Sequence, residues 1–160
     1  MNNEKFIFKI KRDSIPEPED FSIRKFSCFD FFASVNSFIE HNFAGAIKID
    51  FPESYRGFLH ISPRGFAYFI SLLLSEIYGK SLVTVDVSAS DTEVILNISY
   101  KEKLKREKQI TDVAERSGFS VTHGDNTIIL RTPVKLTQEA FVYAGDVLEL
   151  INYFYEVFLT

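Results

Sequence analysis

Two stretches near the middle of the chain restrict its fold more than any other feature. Val83, Val85 and Val87 alternate with Thr84, Asp86 and Ser88, and shortly afterwards Val94, Leu96 and Ile98 alternate with Ile95, Asn97 and Ser99. A period of two sends successive side chains to opposite faces of a strand, so the pair reads as a β-hairpin turning at Ala89-Ser90-Asp91. One face is apolar and the other more polar, so the apolar face needs a cover.

The flanking sequence supplies that cover as helices. Ser27, followed three residues later by Asp30, resembles a capping box, and Phe31, Val35, Phe38, Ile39 and Asn42 keep helical spacing up to Gly45. Ala46-Ile47-Lys48-Ile49-Asp50-Phe51 has the period of a half-buried strand, with Phe58-Leu59-His60-Ile61 as its return. Ser62-Pro63 then gives an N-cap followed by proline at the first helical position, and Phe66, Phe69, Ile70, Leu73, Leu74 and Ile77 form the inner face of what should be the most buried helix. A charged helix over 104–116, with Ile110, Val113 and Ala114 inward, ends at Gly118. Residues 119–123 and 127–132 form a further hairpin around Gly124-Asp125-Asn126, and Thr137 caps an aromatic terminal helix reaching Phe158.

The order is helix, hairpin, helix, hairpin, helix, hairpin, helix. This predicts an α+β two-layer sandwich, a mixed, mainly antiparallel sheet with helices on one face, plus the C-terminal helix. With 160 residues the chain is one domain: a peripheral strand and linker over 1–20, a core over 21–134, and the aromatic helix over 135–160. The strand of the first part is Phe6-Ile7-Phe8-Lys9-Ile10, and Pro16 and Pro18 keep the following stretch extended.

Charge and composition exclude several classes of function. A formal net charge of −4 with 46% hydrophobic and 25% charged residues rules out a disordered chain and a generally basic nucleic-acid binder. The single Cys28 leaves no internal disulfide and no multi-cysteine zinc site, and with Phe26 and Phe29 beside it reads as a buried, inert thiol. The opening residues lack the apolar core of a signal peptide, and no stretch approaches the ~20 apolar residues of a membrane span. A soluble, cytoplasmic protein is the expectation.

Over residues 21–134 the element order resembles the ATP-binding domain of histidine kinases and related ATPases, the Bergerat-type fold. Four places carry the resemblance. Residues 62–77 are similar to the helix bearing that family's asparagine box, N-L-x-x-N-A, and 83–88 with 94–99 to the central hairpin after it. Residues 114–121 resemble the last helix and strand, and Ile128-Ile129-Leu130-Arg131-Thr132-Pro133 the closing strand.

The departures from the family bear on function. Family asparagines hold magnesium, whereas the matching positions here are Ser71 and Ser75, with Glu76 where a small residue is usual. The family's D-x-G-x-G, whose Asp meets the adenine amino group, is replaced by Tyr100-Lys101-Glu102-Lys103-Leu104. The lid and the glycine motif whose helix N-terminus binds phosphate are also missing. The resemblance therefore implies a nucleotide-free, non-catalytic regulatory or protein-interaction module in two-component signalling, with no cofactor and no metal. Three alternatives stay open: a divergent ATP-binding protein or kinase using Ser71, Ser75 and Glu76 for magnesium, a histidine phosphotransfer protein, and an unrelated α+β binding domain.

The remaining signals are weighed on their own chemistry. His41, His60 and His123 fall in different elements without ligand spacing, and His41, near the end of the first helix, is the one a phosphotransfer reading would use. Residues 101–108 form a local basic run, five basic residues against two acidic, without the interleaved aromatics that single-stranded nucleic acid requires. The terminal helix is apolar nearly all the way round, and Phe141, Tyr143, Tyr153, Tyr155 and Phe158 are its candidate interaction residues. A protein partner or a second copy bound through this helix, as a homodimer, is expected; nucleic acid and membrane are not.

Overall fold

The computed structural model describes residues 15–51, 55, 57–78, 82–136 and 144–159. Their order is β1 (Arg24–Ser27), α1 (Cys28–Phe43), β2 (Gly57–Ile61), α2 (Pro63–Tyr78), β3 (Val83–Ala89), β4 (Glu93–Tyr100), α3 (Glu107–Arg116), β5 (Ser120–Gly124), β6 (Thr127–Pro133), β7 (Lys135–Leu136) and α4 (Ala144–Leu159). The expected α+β class is what the chain adopts, with four helices and two antiparallel sheets among the described residues. The expected strand at residues 6–10 and the Thr137 cap lie outside the described residues.

The alternating runs pair as anticipated. β3 and β4 match Val83 with Tyr100 through Ala89 with Val94, and the larger sheet runs in the order β3-β4-β6-β5. Val94, Leu96 and Ile98 of β4 and Ile128 and Leu130 of β6 are buried, while Thr84, Asp86, Ser88 and Asn97 are exposed. One sheet face therefore meets the helices and the other meets water.

The second sheet corrects two expectations. Residues 46–51 form no strand; the partners of β2 are β1, a strand not anticipated, and β7. The alternation of 46–51 still operates, since Ile47 and Ile49 are buried and Lys48 and Asp50 exposed. What replaces the ladder is a helix side chain. The Asn36 amide accepts from the Ile49 backbone N–H at 2.8 Å and donates to the Ile49 carbonyl at 2.6 Å, pairing both polar groups as a neighbouring strand would. The strands also form two sheets where one mixed sheet was expected, and every pair among the described residues is antiparallel. The sheets meet at a corner, where the Ser62 N–H donates to the Ser117 carbonyl at 2.8 Å. Gly118 makes that corner possible: its φ of +111° suits glycine, and a Cβ there would lie 3.1 Å from the His60 carbonyl oxygen.

Helix starts follow the sequence cues. Ser27 accepts from the Asp30 N–H at the start of α1, and Ser62 from the Gly65 N–H, at 3.0 Å, at the start of α2. Helix α2 is the most enclosed element, with Phe66, Ala67, Tyr68, Phe69, Ile70, Leu72, Leu73 and Leu74 all buried. It packs against α3 and α4, and α4 also packs against α1. Among the described residues no helix is long and apolar enough to cross a membrane.

Two substitutions test this packing. Asn36→Ala leaves the buried Ile49 N–H and C=O unpaired and should cost about 1–3 kcal/mol. Leu73→Ala opens a cavity in the middle of α2 and should cost about 2–5 kcal/mol. Urea unfolding midpoints equal to wild type would refute the corresponding contact.

Candidate functional site

Ser71, Ser75 and Glu76 lie on the C-terminal half of α2, where positions four apart share a face. The structure gives Ser71 and Glu76 structural partners. Ser71, buried, donates through Oγ to the Tyr68 carbonyl at 2.6 Å, within its own helix, and Ser75 is half-buried. Glu76 is 4% exposed, and both carboxylate oxygens accept backbone hydrogen bonds: Oε1 from Arg106 N–H at 2.9 Å and Oε2 from Lys105 N–H at 3.2 Å.

The position of those two amides gives the contact its meaning. Arg106 is the N-cap residue of α3 and makes no side-chain cap bond of its own. Glu76 thus stands at the positive end of a helix dipole and supplies the capping oxygens that the local sequence lacks. Eight positions before Glu76 on α2 the two helices join again, where Gln109 Nε2 donates to the Tyr68 hydroxyl at 2.8 Å. Leu104, Ile110, Val113 and Ala114 are buried in the shared core. The α2–α3 junction is therefore closed by two polar clasps with apolar packing beside them.

The two N–H donors and the positive helix end favour a negative charge at this place. A cation beside Glu76 would face two N–H donors and the positive helix end, both repulsive to it. Among the described residues, no group of three or more His, Cys, Asp or Glu side chains is placed to hold a metal.

The candidate interaction residues of α4 require a correction. Tyr153, Phe154, Val157 and Phe158 are buried and Tyr155 half-buried within this one chain. Phe38 of α1 takes Phe154, Tyr155 and Phe158 at ring-centroid distances of 5.2, 5.0 and 5.0 Å, and Phe43 takes Phe158 at 5.5 Å. The Tyr153 hydroxyl accepts from Arg24 at 2.9 Å and donates to Glu149 at 2.8 Å, while the Arg64 guanidinium stands 4.5 Å from its ring centre. Burial, then the Glu149 carboxylate, pushes the Tyr153 hydroxyl above its usual pKa. The described rings form no free association surface, because α4 is covered by two helices and hides more than a single stripe. Phe141 and Tyr143 lie outside the described residues.

The other candidates are quickly placed. His41 is exposed in the last turn of α1 and donates through Nδ1 to the Ser37 carbonyl at 2.8 Å. His123 Nδ1 lies 3.4 Å from Glu107. Cys28 is fully buried, as expected, and burial pushes its thiol up to about 12.

Sequence reasoning missed the Glu76 clasp and the Asn36 bridge. The signal for the first was present: an acid isolated within the apolar run of α2 has to find donors when buried. Its donors stand 29 and 30 positions away, a distance only the fold can close.

No family model matches this chain, and no curated protein does. Among solved structures, the cytoplasmic segment of histidine kinase QseC aligns with a TM-score of 0.45 at 15% identity, over 73% of this chain and 79% of that one. A likeness at that level carries no argument about function.

Glu76→Gln tests the clasp. The amide keeps one acceptor but turns an NH2 towards a backbone N–H, leaving one buried donor without a partner. The expected loss is about 1–3 kcal/mol, read as a lower urea midpoint at unchanged slope. A midpoint equal to wild type would show that the carboxylate is not needed at the α3 N-terminus.

Proposed function

We propose that this chain is a non-catalytic regulatory or protein-interaction module on a histidine-kinase-like ATPase scaffold, acting in two-component signalling. The observation that carries the reading is Glu76. In the family the chain resembles by sequence pattern, the helix after the central hairpin offers its N-terminus to phosphate. Here a carboxylate of the chain itself accepts from the two amides that lead into that helix, those of Lys105 and the N-cap residue Arg106, at 3.2 and 2.9 Å.

The rest of the reading follows from the same junction. Adenine recognition has no Asp to perform it, since Tyr100-Lys101-Glu102-Lys103-Leu104 stands where D-x-G-x-G would. Magnesium binding through Ser71 is opposed by the burial of its hydroxyl. A closed junction also holds the two helices in one arrangement, which suits a module that presents a fixed surface to a protein.

Magnesium ATP titrated at millimolar concentration should leave the melting temperature unchanged. A genuine site, held at about a hundred times its dissociation constant, would add about 2.7 kcal/mol, or roughly 5–10 °C for a domain of this size. A saturable upward shift would overturn the non-catalytic reading and favour the divergent ATP-binding alternative.

A further inference from the structure

The cations of this chain are unevenly used. Among the described residues Arg24 pairs with Glu149, Lys48 with Asp50, Arg64 with Asp20 and Glu156, Arg116 with Glu17 and Arg131 with Glu93. Lys25 lies over the Phe58 ring at 4.5 Å. The side chains of Lys101, Lys103, Lys105, Arg106 and Lys108 make no ion pair with any described residue. All five fall within eight consecutive positions of a chain that holds more acids than bases, 22 against 18.

The fold holds this run outward. Glu76 fixes the backbone amides of Lys105 and Arg106, and buried Leu104 anchors the residue before them. Lys101, Lys103, Lys105 and Lys108 are exposed and Arg106 half-buried. Lys105 and Lys108 line two open clefts on either side of α3. One, of about 700 Å³, also includes Arg106, Arg116 and Glu17; the other, of about 440 Å³, includes Lys103, Thr111 and His123. Acids are interspersed: Glu102, Glu107, which faces His123, and Asp112 and Glu115 on α3.

We propose that residues 101–108, together with the clefts flanking the first turns of α3, are a docking surface for an acidic segment of a protein partner. This rests on the interaction-module reading and gives the partner its chemistry. Five bases against two acids give the run +3, so the rest of the chain carries −7 of the total −4. A long polyanion or an anionic membrane extends past so small a patch and meets that opposing charge, whereas a folded acidic partner meets the patch alone. Four of the five cations are lysines, mobile point charges suited to scattered carboxylates, and the run has no ring on which a base could stack. The interspersed acids can pair with the occasional base on a protein surface.

The test uses the full chain and a fluorescein-labelled peptide of about ten glutamates, followed by anisotropy. Saturable binding is expected, weakening at least about tenfold as ionic strength rises from ~0.05 to ~0.5 M and the screening length shortens. Lys105→Glu combined with Lys108→Glu should abolish binding with an unchanged circular dichroism spectrum; Lys48→Glu, outside the patch, should leave it intact. No saturation by about 1 mM peptide, or equal binding by the double variant, would overturn the proposal. Tighter binding to oligothymidine of equal charge, or to phosphatidylserine vesicles, would overturn it in favour of a polyanion. Magnesium ATP titrated into the same samples separates the two readings. Peptide binding together with ATP binding keeps the surface and overturns only the non-catalytic reading; loss of peptide binding without ATP binding overturns the surface alone.

Discussion

Helix α2 is apolar on nearly every side, and a helix of that kind is stable in water only when something covers each face. Much of the architecture answers that requirement. The helices α3 and α4 pack along it, and α4 rests on α1 as well. Phe66, near its start, meets Phe31, Phe32, Phe69 and Phe119, which ties the first helix and the beginning of β5 to the same cluster. Enclosure also sets the terms for the one acid on the helix. A buried Glu76 has to accept hydrogen bonds, and the amides at the start of α3 are the donors within its reach.

One contact therefore has two consequences. Inside the molecule it caps α3 and fills with protein carboxylate the kind of place where a helix N-terminus otherwise attracts an anion. Outside, it fixes the turn from which Lys105 and Arg106 project, so that burial of one negative charge organises a positive surface. The arginines elsewhere serve a different purpose. Arg24 and Arg64 flank Tyr153 and reach Glu149 and Glu156, fastening the polar edge of α4 while Phe154 and Phe158 fill the core.

Much of this was legible in the chain as written. The alternation of Val83 to Ser88 and Val94 to Ser99 fixed a hairpin with one wet face, because a period of two admits no other arrangement of those side chains. Ser27 and Ser62 marked helix starts, since each sits where a side-chain oxygen meets an otherwise unpaired N–H. The alternation of 46–51 matches burial but not pairing. Side-chain period reports which residues face the core, but says nothing about what satisfies the backbone, and here the amide of Asn36 does so. The rings of α4 exceed what one covering layer would hide, and two helices pack against them.

Sequence by itself determined the α+β class, the hairpins of residues 83–100 and 120–133 and the enclosed helix. These follow from local chemistry: side-chain period, capping groups and the identity of single residues. Tertiary structure alone decided that Glu76 caps α3, that β2 pairs with β1 and β7, and that Tyr153, Tyr155 and Phe158 turn inward. Each of these depends on a partner roughly thirty to well over a hundred positions away. Hydrogen-bond and packing energies act over a few ångströms of space, and only the folded chain fixes which distant residues come within that range.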